Sequence, residues 1–121
     1  MSQDTEEIEA PRWHDYLELL TKEHEGTDAT IEVVSADFGD QEEAARIPLA
    51  YVEYDHKDDV VIVGVGGFTA RYPVVLRHII EHPRRIAVSS SVPNALLALD
   101  IEAGDGSKTL VTVHRRPALP G

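Results

Sequence analysis

Six short segments rich in apolar and β-branched residues constrain the fold most strongly. They lie at 29–38, 47–54, 60–65, 85–89, 96–101 and 109–114. Turn-forming pairs such as Gly39-Asp40 and Asp105-Gly106 separate them. The run YDHKDD leaves about five residues between the second and third segments, which is the length of a hairpin connection. Since short connections join antiparallel neighbours, the pattern predicts a mainly antiparallel sheet.

One segment before the first strand has the apolar spacing of an amphipathic helix. Its apolar residues fall at i, i+3, i+4 and i+7: Trp13, Tyr16, Leu17 and Leu20. Pro11 suits the first turn of this helix, and Gly26 suits a position just beyond its end. We therefore predict a helix that begins near residue 11 and packs its apolar face on the sheet.

A second helix is predicted around residues 74–81. Its apolar stripe consists of Tyr72, Leu76, Ile79 and Ile80. Pro83 would end it. With both helices the element order is αβββαβββ, an α+β fold with a mainly antiparallel sheet and helices on one face. A strongly curved sheet or a small open barrel is the alternative.

The length of 121 residues suits one domain with a real hydrophobic core. Residues 1–10 contain four acidic and no basic residues, and we predict a flexible acidic leader there. Residues 11–114 are predicted to form a single α+β domain. Residues 115–121, with two prolines, are predicted to be a flexible tail.

Composition excludes several classes of function. The chain has 22 acidic and 11 basic residues, a net charge of −11, which disfavours broad nucleic-acid binding and anionic membranes. It has no cysteine, so disulfides, thiolate metal sites and cysteine nucleophiles are absent, and a cytoplasmic location is predicted. No apolar run approaches the roughly 20 residues that span a bilayer, so no membrane association is expected.

The glycines at 64–67 look like a dinucleotide-binding turn. A strand leads through Gly64, Gly66 and Gly67 towards the predicted second helix, and glycines let backbone N–H groups approach a pyrophosphate. The full G-x-G-x-x-G spacing is missing, and serines at 89–91 stand where an acidic residue would follow the next strand. Relief of backbone crowding is the favoured interpretation, and nucleotide binding is the alternative.

His78, Glu81 and His82 have the H-x-x-E-H spacing of inverted zinc proteases, which requires a helix. A zinc site would also need a third, distant ligand, and His82 is equally well explained by the end of the predicted helix. No spacing selects a catalytic serine or carboxylate. The sequence therefore predicts no metal, no cofactor and no catalytic residue, and it favours a protein that is not an enzyme.

Charge is distributed unevenly along the chain. Residues 1–59 hold 18 acidic and four basic residues, a net charge of −14, whereas residues 60–121 hold four acidic and seven basic residues, a net charge of +3. Candidate ligand-binding residues in the second half are Arg71, Arg77, Arg84 and Arg85. Guanidinium groups recognise phosphate and carboxylate well. Pairing of these arginines with acidic residues of the first half is the favoured interpretation, and binding of an anionic ligand or partner is the alternative.

Several stretches resemble a family of short, acidic prokaryotic proteins of unknown function. These stretches are GDQ at 39–41, IPL at 47–49, YDHKDD at 54–59 and HIIEHPRRIAV at 78–88. Trp13 near the start of the first helix fits as well, so the resemblance covers residues 12–113. The GVGG stretch at 64–67 is not a feature of that family. The resemblance implies no established activity and no site residues.

Together these observations predict a small soluble protein that binds a protein partner or a second copy of itself. An exposed apolar patch or an unpaired sheet edge would favour self-association. The alternative is binding of an anionic small molecule or a nucleotide, through the arginine-rich second half or through residues 64–67.

Overall fold

The computed structural model describes residues 5–35, 39–67, 73 and 75–115. Within these residues a 3-10 turn, Ala10–Arg12, leads into one α-helix, α1, Trp13–His24. The strands in chain order are β1 Thr5–Ile8, β2 Asp28–Ser35, β3 Gly39–Asp55, β4 Val60–Gly66, β5 Val75–Glu81, β6 Arg85–Ser89, β7 Ala95–Glu102 and β8 Lys108–His114. No helix in the described ranges is long and apolar enough to cross a membrane.

The eight strands form one antiparallel sheet in the order β1-β6-β7-β8-β2-β3-β4-β5. The predicted antiparallel sheet and the first helix are confirmed. The sheet is not closed, because β1 and β5 are its two edges. Among the described residues the fold is mostly β with one α-helix, so the predicted order αβββαβββ is wrong.

The second predicted helix, around residues 74–81, is also wrong: Val75–Glu81 is strand β5. It pairs with β4 along its whole length, from Val60 opposite Glu81 to Gly66 opposite Val75. Alternate residues of β5 face the buried valines of β4. Pairing with a neighbouring strand therefore outweighed the local helical spacing, as tertiary contacts commonly do. Tyr72, part of the predicted stripe, lies outside the described residues.

Strand β3 is shared between two parts of the sheet. Its first part pairs with β2, from Gly39 opposite Ser35 to Pro48 opposite Asp28. Its second part pairs with β4, from Leu49 opposite Val65 onwards. Beyond Asp28, the first residue of β2, α1 and the turn after it supply hydrogen-bond partners to β3. Gly26 N donates to Leu49 O, Leu49 N donates to Thr27 O, and Thr21 Oγ1 bonds both N and O of Val52, all within 3.0 Å.

One hydrophobic core joins these parts. Its members include Val61, Val63 and Val65 of β4, Leu99 and Ile101 of β7, and Leu17 and Leu20 of α1. The sheet curls enough that His78 Nε2 of β5 lies 3.2 Å from Thr109 Oγ1 of β8, although β5 and β8 are not neighbours in the sheet. The edge strand β5 therefore stands over the middle of the sheet rather than far from it.

Residues 5–8, which the sequence assigned to the leader, form edge strand β1. They pair with β6 from Thr5 opposite Ser89 to Ile8 opposite Ile86. Ile8 is buried, and its carbonyl accepts a hydrogen bond of 2.8 Å from Trp13 Nε1. The ordered sheet thus includes part of the acidic N-terminal segment.

Candidate functional site

Two turns meet beside the end of β5. The β3–β4 turn ends at Asp59, and β5 is followed by His82, whose backbone N–H donates to Asp59 O at 2.8 Å. Both residues have positive φ angles, 53° and 51°, and residues other than glycine rarely adopt this backbone conformation. Such backbone conformations persist only where surrounding interactions hold them, and they cluster at functional sites. The meeting of these turns is therefore a candidate site.

The side chains of the two turns form a hydrogen-bonded series, which we call the Tyr–Asp–His chain: Tyr54, Asp59 and His82. Tyr54 Oη donates to Asp59 Oδ1 at 2.8 Å, and His82 Nδ1 lies 3.2 Å from Asp59 Oδ2. The bond from Tyr54, followed by that from His82, lowers the pKa of Asp59. The same bond raises the pKa of Tyr54. Asp59 is thus stabilised as a carboxylate between two donors.

A cleft of about 370 Å³ adjoins His82. Residues 78–82 line one part of it, residues of the β7–β8 turn line another, and Val33 and Thr109 complete the lining. Gly104 permits the close approach of that turn, because a Cβ there would lie 3.1 Å from His82 Cβ. In the same turn Asp105 Oδ1 accepts hydrogen bonds from Ser107 N and Oγ, which lowers the pKa of Asp105.

The Tyr–Asp–His chain fixes which nitrogen of His82 meets the carboxylate. With Nδ1–H directed to Asp59, a neutral imidazole carries its lone pair on Nε2. The His82 side chain is 71% exposed, so Nε2 is accessible to a molecule in the cleft. A carboxylate that orients the far nitrogen of an imidazole is the arrangement that supports general-base and nucleophilic chemistry.

The zinc hypothesis loses its basis because the H-x-x-E-H segment belongs to a strand. Side chains alternate along a strand, so Glu81 faces away from His78 and Ile80. No group of three or more His, Cys, Asp or Glu residues within the described ranges is placed to hold a metal ion.

The glycines at 64–67 relieve crowding. A Cβ at Gly64 would lie 2.7 Å from the Tyr51 ring, and one at Gly67 would lie 2.8 Å from Val75 Cγ2. Gly66 and Gly67 also have positive φ angles, 95° and 84°. Because residues 75–81 are a strand, they offer no helix N-terminus to a pyrophosphate. The structure therefore favours the first interpretation of these glycines.

The four candidate arginines occupy different settings. Arg71 lies outside the described residues, and Arg77 is exposed on β5 opposite Gly64. Arg84 donates to Gly104 O and lies 3.9 Å from Glu102, and Arg85 Nε donates to Glu7 Oε1 at 2.9 Å, which raises the pKa of Arg85. Arg84 and Arg85 thus have acidic neighbours in the chain. Ligand binding by these arginines stays a prediction.

A feature that sequence reasoning missed is the edge formed by β5. Leu76 and Ile79 on this strand are 57% and 55% exposed. Val61, Val63 and Val65 are buried, and the β5 residues opposite them face the same side of the sheet. Because side chains alternate along a strand, Arg77, Ile79 and Glu81 share the outer face. The apolar alternation was present in the sequence, but the same residues also fit a helical stripe.

The pH dependence of stability should report the Tyr–Asp–His chain. Because the pKa of Asp59 in the folded protein is below its ordinary value of 3.8, the carboxylate's stabilisation is fully present above pH 3.8. It is lost as the pH falls through the lower folded-state value. We expect the difference in thermal midpoint between wild type and Asp59→Asn to be largest near neutral pH and to shrink below pH 3.8.

The control for this titration is Asp58→Asn, which removes the same charge from the same turn. Its thermal midpoint should follow that of the wild type throughout the titration. A constant difference between wild type and Asp59→Asn from neutral to acidic pH would contradict the stabilising role of the Asp59 carboxylate.

Comparison with known proteins supports the family resemblance seen in the sequence. The model of a family of unknown function, DUF5335, matches residues 4–121. An uncharacterized protein of Aquifex aeolicus (strain VF5) is 28% identical over 116 residues, which cover 96% of each chain. No solved structure shows significant similarity to the chain. The predicted resemblance to a prokaryotic family of unknown function is thereby confirmed.

Proposed function

Because the chain belongs to the DUF5335 family of unknown function, its function must be inferred from its own surface, and we propose that it is a binding module that pairs with a second copy of itself along β5. The observation that carries this proposal is the exposed apolar edge of β5. Leu76 and Ile79 are more than half exposed there, and β4 is the strand's partner within the sheet. An edge of this kind is a template for pairing with another strand.

The other edge of the sheet is protected against such pairing. Strand β1 has four residues, and Glu6 and Glu7 lie in its middle, both exposed. Short length and charged side chains are common ways in which proteins block sheet edges. Strand β5 has seven residues, with exposed apolar side chains among its charged ones. The contrast supports the proposal that an intermolecular strand pairs with β5 rather than with β1.

The sequence of β5 is complementary to itself in one antiparallel register. With Ile79 on a two-fold axis, Ile79 meets its own copy, and Arg77 of each chain stands opposite Glu81 of the other. These residues share the outer face, where directly opposed Cβ atoms of antiparallel strands lie about 4.5–5.5 Å apart. The register therefore forms two opposite-charge pairs around one apolar contact. A two-fold interface uses the same patch of both chains in this way.

Local charge supports pairing despite the acidic chain. The net charge of −11 would make two copies repel at most faces. Strands β4 and β5 together contain one basic and one acidic residue, Arg77 and Glu81, and so have no net charge when the histidine is neutral. The two strands nearest the proposed interface thus add no net charge of their own to the repulsion between two copies.

Exchanging the charges on β5 tests this register. Arg77→Glu and Glu81→Arg should each weaken the dimer, because each places like charges opposite one another at two equivalent positions. Opposed cross-strand charges contribute roughly 0.2–1 kcal/mol per pair, so each reversal should raise the dissociation constant by about tenfold. The double variant Arg77→Glu, Glu81→Arg restores both pairs and should regain wild-type association. Analytical ultracentrifugation over a concentration series measures all four proteins.

A second variant addresses the apolar contact on the two-fold axis. Ile79→Lys places two lysines face to face and should give a monomer. Leu96→Lys makes the same change at an exposed apolar residue of β7 and should associate like the wild type. A wild-type protein that sediments as a monomer at all concentrations would overturn the proposal. Equal behaviour of the two lysine variants would overturn the β5 interface.

A further inference from the structure

The Tyr–Asp–His chain lies beside the pairing edge proposed above, and Ile79 and Glu81 belong both to that edge and to the lining of the adjoining cleft. We propose that His82 is a nucleophile for activated acyl groups, so that the protein hydrolyses small, neutral aryl esters bound in the cleft. Three independent features carry this inference: the orientation of the imidazole, the rigidity of its support, and the adjoining cleft.

The imidazole of His82 is oriented for nucleophilic attack. Asp59 Oδ2 lies 3.2 Å from its Nδ1, which leaves Nε2 as the nitrogen with the lone pair. Tyr54 Oη holds the other carboxylate oxygen at 2.8 Å, which restricts rotation of the carboxylate. The carboxylate also stabilises the positive charge that His82 acquires when Nε2 attacks.

The support of His82 is rigid on both sides. Its backbone N–H is bonded to Asp59 O, and both residues are held at positive φ. Behind them, the Tyr54 ring packs edge to face on Trp13, with ring centroids 5.2 Å apart, and Trp13 is buried in the core. A catalytic group held in this way loses little freedom when the substrate binds.

The cleft indicates the class of substrate. Its volume of about 370 Å³ lies at the lower end of the range for small-molecule sites. Val33, Ile80 and Ala103 give it an apolar lining, whereas Glu81 and Asp105 add carboxylates that disfavour anions. A small uncharged ester with an apolar body fits these properties.

The reaction balances without a cofactor. His82 Nε2 attacks the ester carbonyl carbon, the new N–C bond forms, and the C–O bond to the aryl group breaks with release of an aryl oxide anion. The acylated imidazolium keeps its Nδ1–H bonded to Asp59. Water then attacks the acyl carbon, the N–C bond breaks, and the products are a carboxylate, two protons and the regenerated neutral imidazole.

The first test measures hydrolysis of p-nitrophenyl acetate by the full chain, from release of p-nitrophenolate. His82→Asn replaces the imidazole with an amide side chain, and asparagine tolerates a positive φ angle. We expect its second-order rate constant to be at least about tenfold below that of the wild type. The matched control His56→Asn removes an exposed imidazole from the neighbouring β3–β4 turn and should retain the wild-type rate. Rapid-quench mass spectrometry should find a transient acetyl group on His82.

The second test examines Asp59 as a positioning residue. Asp59→Asn should lower the rate about tenfold and change the imidazole tautomer of His82. Long-range proton–nitrogen NMR spectra distinguish the two tautomers, and circular dichroism confirms that each variant is folded. Equal rates for His82→Asn and His56→Asn, or an acetyl group on another residue with none on His82, would overturn the proposal. So would an Asp59→Asn protein with the wild-type rate and tautomer.

Discussion

Replacement of Trp13 by alanine is expected to lower the free energy of unfolding by about 3–5 kcal/mol, the range for removal of a large buried aromatic side chain. Trp13 is buried in the core, and its Nε1–H donates to Ile8 O at 2.8 Å. Its ring also packs edge to face on Tyr54. The substitution therefore removes contacts of α1 with both β1 and β3 and leaves a cavity. Chemical denaturation, monitored by circular dichroism, measures the effect. Tryptophan fluorescence does not serve for this variant, because the substitution removes the single tryptophan of the chain.

Two further substitutions separate the contributions of Trp13. Trp13→Phe retains an aromatic ring but deprives the buried Ile8 carbonyl of its donor, so a smaller loss of about 1–3 kcal/mol is expected. Leu19→Ala removes an exposed leucine from the same helix and should change stability by less than about 0.5 kcal/mol. A loss for Trp13→Ala no larger than that for Leu19→Ala would contradict the packing described for α1.

Local sequence signals predicted the elements whose determinants are local. The apolar stripe of α1 and the turns at 55–59 and 105–106 each depend on a few consecutive residues. At the second turn, Asp105 accepts two hydrogen bonds from Ser107, which is a local contact that the Asp-Gly pair already suggested. Runs of apolar and β-branched residues likewise predicted four of the strands, β4, β6, β7 and β8.

Elements that depend on partners far away in the sequence could not be predicted from local sequence signals. Leu76, Ile79 and Ile80 fit a helical stripe, and Leu76, His78 and Ile80 fit one face of a strand equally well. Pairing with β4 decides between these alternatives, and it supplies backbone partners that no local pattern reveals. Strand β1 contains a single apolar residue, Ile8, so its place beside β6 left no periodic signal.

The candidate site shows the same limit. The residues of the Tyr–Asp–His chain were visible in the sequence as a turn segment and as part of the H-x-x-E-H match. Asp59 and His82 are 23 residues apart, and only the hairpin of β4 and β5 returns them to contact. The spacing drew attention to His82 through a helical zinc motif, but its partner in the structure is a carboxylate outside that motif.

Replacement of Leu99 by alanine is the second substitution with a large expected effect, about 2–5 kcal/mol. Leu99 is 0% exposed on β7, between Val88 of β6 and Val111 of β8. A matched control is Leu96→Ala on the same strand, where the side chain is 38% exposed and a loss below about 0.5–1 kcal/mol is expected. Comparable losses for the two variants would contradict the placement of the core against β7.

The Leu99 variant also tests whether the shared strand β3 unites the sheet into one cooperative unit. Leu99 belongs to the same buried cluster as Trp13 and the valines of β4. If this cluster is one core, Leu99→Ala should shift the unfolding midpoints measured by Trp13 fluorescence and by circular dichroism equally, because both report a single transition. A shift seen by circular dichroism but not by Trp13 fluorescence would instead mean that α1 and β3 unfold independently of β7.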